Sequence, residues 1–106
     1  MVFFILHRWG ASERSRDPRV VEALLSELDG QEPTDELTSV SLCLPSGWCL
    51  SAFPNGLMIF ENVEETSIEP RYMRVSSRSA ARELMELLAR QQFHDLHQRA
   101  WRAYFD

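Results

Sequence analysis

Cys43 and Cys49 are the only cysteines in this 106-residue chain, and they flank Pro45-Ser46-Gly47 in the stretch SLCLPSGWCL. A pair so spaced can ligate zinc, act as a redox dithiol, form a disulfide, or sit as small side chains on opposed strands. The hairpin register derived below puts the two residues directly opposite, within disulfide reach. Zinc needs about four ligands, and only Glu61 falls beside the pair. A hairpin that holds itself in a reducing compartment favours two free thiols on the sheet's second face, with a disulfide or a metal or redox site as alternatives. His94 and His97 stand three apart on a predicted helix. Metal-binding helices more often use i, i+4, so the expectation is two solvated histidines. His7 reads as a hydrogen-bonded structural histidine in a strand. No serine lies in a G-x-S-x-G elbow, and neither a phosphate loop nor a dinucleotide glycine pattern occurs. No catalytic residue, metal ligand or cofactor site is assigned, and the chain is expected not to be an enzyme.

The elements that would position these residues follow from periodicity. Residues 2–9 (VFFILHRW) read as a strand, apolar on both alternating faces as if covered on both sides. Residues 10–17 read as a polar loop. Asp17-Pro18 is an N-cap followed by proline at the first helical position, and Val20, Val21, Leu24, Leu25 and Leu28 then recur at helical spacing before Gly30. Around Pro45-Ser46-Gly47, a three-residue loop sets Leu44 against Trp48, Leu42 against Leu50 and Val40 against Ala52. A two-residue loop would scramble both faces. The Pro-x-Gly form repeats at Pro54-Asn55-Gly56, setting Phe53 against Leu57, Ala52 against Met58 and Leu50 against Phe60. Residues 37–62 are therefore a three-stranded meander. Residues 68–75 add a fourth strand, which Pro70 delays or confines to an edge. From Ser77 the period is helical, and a break in the apolar stripe near residues 90–92 divides it into two helices. The fold class is α+β: one domain over residues 1–106, an antiparallel sheet of four to five strands in the order β-α-β-β-β-β-α-α, packed against helices.

At 44% apolar residues the chain can bury a core without staples. MVFFIL is too short for a signal h-region and lacks a basic flank, and no run reaches the length of a membrane span. The expected setting is the cytoplasm, with no membrane. The net charge is −5 and every basic residue is arginine. Residues 1–19 carry net +2, residues 20–69 net −10 with no base at all, and residues 70–106 net +3. Such an acidic middle repels nucleic acid and favours a basic partner, unless the two ends fold back to neutralise it.

The sheet's second face would carry Phe53, Leu57 and Ile59 beside Glu61, either exposed as a protein-binding surface or covered by a helix in a three-layer domain. GWCLSAFPNGLMIFEN followed by EPRYMRVSSRSAARELMELLARQQFHDLHQRAW, spanning residues 47–101, resembles small bacterial α+β proteins of the toxin-immunity kind. The resemblance implies a non-enzymatic inhibitor that binds one cognate toxin and covers its active site. The residues for that contact would be Asp29, Glu32, Asp35 and Glu36 in the first acidic connector and Glu61, Glu64 and Glu65 in the second. Phe53, Leu57 and Ile59 would be apolar anchors. The alternative is an acidic chaperone for a secreted effector, a homodimer formed through the sheet's second face.

Overall fold

The computed structural model describes residues 2–8, 10–29 and 39–103. Nine elements follow in the order β1 (Phe3–Leu6), β2 (Ser12–Ser15), α1 (Val20–Ser26), β3 (Val40–Cys43), β4 (Trp48–Ala52), β5 (Leu57–Asn62), β6 (Arg71–Arg74), α2 (Arg78–Ala89) and α3 (Phe93–His97). The strands form one six-stranded sheet in the order β2-β1-β3-β4-β5-β6, and every neighbouring pair is antiparallel.

The meander has the predicted register. Val40 pairs with Ala52, Leu42 with Leu50 and Cys43 with Cys49. Leu50 pairs with Phe60, Ala52 with Met58, and Cys49 with Glu61. Gly47 takes φ +100°, the left-handed conformation that a three-residue loop demands of its last member. A Cβ there would also run into the Asn62 amide oxygen and the Glu64 side chain, so the position excludes other residues twice over. β6 begins only after Pro70 and lies at the end of the sheet. Its outer side is closed by a backbone bridge in which Tyr72 and Arg102 exchange both N–H···O bonds, at 2.8 and 2.7 Å.

Two expectations at the N-terminal end need correction. Residues 10–17 are not simply a loop, because Ser12–Ser15 pairs with β1 as the opposite edge of the sheet. A strand of Ser, Glu, Arg and Ser has no apolar alternation to betray it; its charges suit an edge that must not recruit another chain. β1 is not covered on both sides either. Phe3 and Ile5 are buried, but Phe4 and Leu6 are 37% and 39% exposed.

One cluster of buried side chains joins sheet and helices. It holds Phe3, Ile5, Val40, Leu42, Leu50, Met58 and Phe60 from the sheet, Val21, Leu24, Leu25 and Leu28 from α1 and its C-terminal turn, and Ala81, Leu84, Met85 and Leu88 from α2 with Leu96 from α3. The register sets Ile5, Leu42, Leu50 and Phe60 in one row across four strands. The helices therefore pack on one face, and the domain has two layers, with no described helix on the other face.

α2 starts at Ser77, whose hydroxyl accepts the Ala80 N–H at 3.1 Å. It ends where the apolar stripe breaks. The Gln92 N–H bonds the Leu87 carbonyl and the Gln91 N–H the Leu88 carbonyl, a Schellman closure with Gln91 at φ 60°. The chain then turns into α3, which an aromatic cluster seats on the sheet. Trp48 stacks on Phe60 with ring centroids 4.8 Å apart, and Trp101 lies 5.4 Å from Phe60 while its indole N–H donates to the Leu96 carbonyl.

Candidate protein-binding surfaces

The free face of the sheet is built by the residues that alternate with the core. One row runs Arg14, Phe4, Cys43, Cys49, Glu61 across β2, β1, β3, β4 and β5. The next runs Ser12, Leu6, Ser41, Ser51, Ile59, Tyr72 and reaches β6. Beyond it the Phe53 N–H donates to the carbonyl of Leu57, which pairs with Arg74. In the centre of this face Cys43 and Cys49 are joined as a disulfide between directly opposed residues, with Cα atoms 4.1 Å apart. This corrects the expectation of two free thiols. The register alone permits either state, and a reducing compartment is the only ground for the thiols. Next to the disulfide, the Ser41 and Ser51 hydroxyls share a hydrogen bond of 2.7 Å.

The predicted anchors divide. Phe53 and Ile59 are half-buried on this face, while Leu57 is only 8% exposed and too enclosed to anchor a partner. Phe4 and Leu6, absent from the predicted set, are the more exposed apolar residues here. Their signal was present in FFIL, a strand apolar in both phases when only one phase has a helix layer to bury it.

Among the described residues, Asp29 and the second acidic group do not form one surface. Glu32, Asp35 and Glu36 lie outside the described residues. Asp29 is tied to Arg78 at 2.8 Å, and Leu28 and Arg78 line a cleft with Phe53–Gly56, at the start of β5. Glu64 and Glu65 follow the end of β5, against Gly47. Asp29 and the Glu64–Glu65 pair are separated by the length of that strand, roughly 20 Å at about 3.3 Å per residue.

The second acidic group is held in a defined loop. Asn62 is buried, and its amide oxygen accepts the backbone N–H groups of Glu64 and Glu65 at 2.9 and 3.0 Å, an Asx arrangement that locks the turn. The Val63 N–H bonds the Gly47 carbonyl at 2.9 Å, and the Ile68 N–H the Glu65 carbonyl at 3.0 Å. This loop presents Glu64, Glu65 and Glu69 in solvent with Val63 at 53% and Ile68 at 39% exposure, and Glu61 stands at its base. None of these four carboxylates has an ion pair with a described residue. Neither Val63 nor Ile68 was in the predicted set.

The polar groups elsewhere serve the fold. His7 Nδ1 donates to Glu27 Oε2 at 2.6 Å, Glu27 Oε1 accepts the Arg8 backbone N–H at 3.1 Å, and Glu13 lies 3.5 Å from His7 Nε2. The hydrogen bond to Glu27, with the fields of Glu27 and Glu13 in support, raises the His7 pKa above its ordinary value, against partial burial, which lowers it. His94 and His97 are both exposed, and His97 also lies beside aromatic rings, with centroids 5.2 Å from Trp48 and 5.1 Å from Phe60. The expectation of two solvent-exposed histidines therefore holds, with aromatic neighbours on one side of His97. In the cleft of about 260 Å3 beside α2, Ser77 already caps the helix, and Arg78 is bound to the Leu25 carbonyl and Asp29. Among the described residues no three His, Cys, Asp or Glu side chains form a group that could hold a metal ion, and no helix is long and apolar enough to cross a membrane. No protein-family model, curated protein or solved structure matches this chain.

Proposed function

We propose that the protein is a binding protein of the toxin-immunity kind, which neutralises a cognate toxin by occupying a basic cleft with the β5–β6 loop and acts without catalysis of its own. The observation that carries this reading is the loop itself. Three exposed carboxylates and two exposed aliphatic side chains stand on a turn fixed by a buried asparagine, with no arginine of the described chain neutralising them. Unpaired acids on an ordered loop accelerate encounter with a basic partner and give it register, while apolar neighbours supply contact area once the charges have met. Asp29, already paired with Arg78, makes the weaker contact of the two acidic groups. A chaperone for a secreted effector is the second reading, favoured by the exposed Phe4 and Leu6 on the free face of the sheet.

The test is capture of the tagged chain's partner from its own cells, followed by assay of the captured protein's toxicity with and without the chain. A folded toxin domain that is silenced at equal stoichiometry is the expected result. Glu64→Lys with Glu65→Lys should slow that association at least tenfold at low salt. An unchanged association rate would remove the loop from the interface, and a partner held only through an extended, unfolded segment would replace the immunity reading with the chaperone.

A further inference from the structure

An antiparallel sheet with one wet face ordinarily carries polar residues on that side. Here the outward positions of β1 are Phe4 and Leu6, more than a third exposed although β1 is flanked by strands on both sides. Large apolar side chains left open on an inner strand, rather than at the rim, mark a face that something covers. The charges on this face narrow what that is. Arg14 lies at one end of the first row and Glu61 near the other, and neither has an ion pair with a described residue. A row that is basic at one end and acidic at the other is complementary to itself turned around.

We propose that the free sheet face is a self-association surface, occupied by a second copy of this chain. A two-fold axis parallel to the strands reverses their order and keeps each row in place. Centred on β3, it lays β1 over β4 of the second copy and β2 over β5. Leu6 then faces Ser51 and Phe4 faces Cys49, large residues against the small ones that the Ser41–Ser51 and Cys43–Cys49 pairs place at mid-sheet. Arg14 faces Glu61 of the second copy, and the symmetry makes that ion pair twice. Five overlapping strands about 4.8 Å apart give a face about 24 Å wide, a small contact, so the association is weak and reversible. The surface meets the β5–β6 loop only at Glu61, at the base of that loop, and stands whether or not the loop binds a toxin.

Sedimentation of the intact chain from micromolar to near-millimolar concentration tests this. A reversible monomer–dimer equilibrium is expected. Arg14→Glu alone and Glu61→Arg alone should each weaken it at least tenfold, and the two together should restore it, with circular dichroism confirming that each variant is folded. Restoration by the exchange cannot come from misfolding, so it isolates the contact. A monomer at every concentration would overturn the proposal and leave the face to a foreign protein. A dimer indifferent to both single variants, or one that the exchange fails to restore, would overturn it equally.

Discussion

At the C-terminal end of β1, His7 ties the strand to Glu27 in the turn that closes α1, and the bond has a pH signature. The folded-state pKa of His7 lies above its unfolded value near 6.5 because Glu27 and Glu13 favour the imidazolium. The folded state thus holds the proton more tightly than the unfolded chain. Its stabilisation is complete below about pH 6.5 and fades as the pH rises through the raised folded value. Urea midpoints measured across neutral pH should therefore fall for the parent chain and stay flatter for His7→Gln. The gap at the acid side should be about 1–2 kcal/mol, the worth of one charge-assisted hydrogen bond. Equal slopes for the two proteins would show that the pair contributes nothing. At the same scale Asn62 and Gly47 determine the acidic loop: the buried amide supplies the acceptor for two backbone donors, and the missing Cβ leaves room for that amide.

At the scale of elements, the junction of α2 and α3 holds a conformation its sequence does not favour. Gln91 occupies the left-handed position of the Schellman closure at φ 60°, where a side chain costs roughly 1 kcal/mol relative to glycine. Gln91→Gly should therefore stabilise the protein by about 0.5–1 kcal/mol, since the residue lies outside both helices and pays no helix-interior penalty. A lowered melting temperature would mean that the Gln91 side chain makes a contact of greater worth. The predicted break near residues 90–92 was legible because the apolar stripe changes phase there; that the break would close by a left-handed glutamine was not, because glutamine carries no turn preference. Likewise β2 was hidden. An edge strand exposed to solvent needs only backbone partners, and SERS offers no pattern to read.

At the scale of the molecule, charge is distributed rather than pooled. The arginines of the C-terminal segment do fold back in part: Arg78 pairs with Asp29 at 2.8 Å, and Arg82 approaches Glu22 at 3.9 Å. They leave the loop after β5 unmatched, which concentrates the long-range field at one end of the sheet. Association with a basic partner should then slow steeply with ionic strength, falling about tenfold or more between about 0.01 and 0.15 M salt as the screening length shortens from about 30 to about 8 Å. Stopped-flow measurement at several salt concentrations checks this. A rate insensitive to salt would mean that the loop's charges do not steer the encounter.

The chain's local patterns determined the meander, its registers, the late edge strand after Pro70 and the divided C-terminal helices. Each rests on a period of 2 or 3.6, or on a turn residue whose backbone preference acts within a few positions. They also placed Cys43 opposite Cys49 and Glu61 beside them, since register propagates from one turn to the next. Tertiary structure alone decided which sheet face the helices took, and with it that Phe4 and Leu6 stay exposed while Leu57 closes over. It also decided that Asp29 and the Glu64–Glu65 pair lie at opposite ends of β5, that Arg78 neutralises Asp29, and that the exposed His97 has aromatic neighbours. Those outcomes depend on pairings between residues tens of positions apart, set by how one apolar face is shared among three helices, and no local periodicity records them.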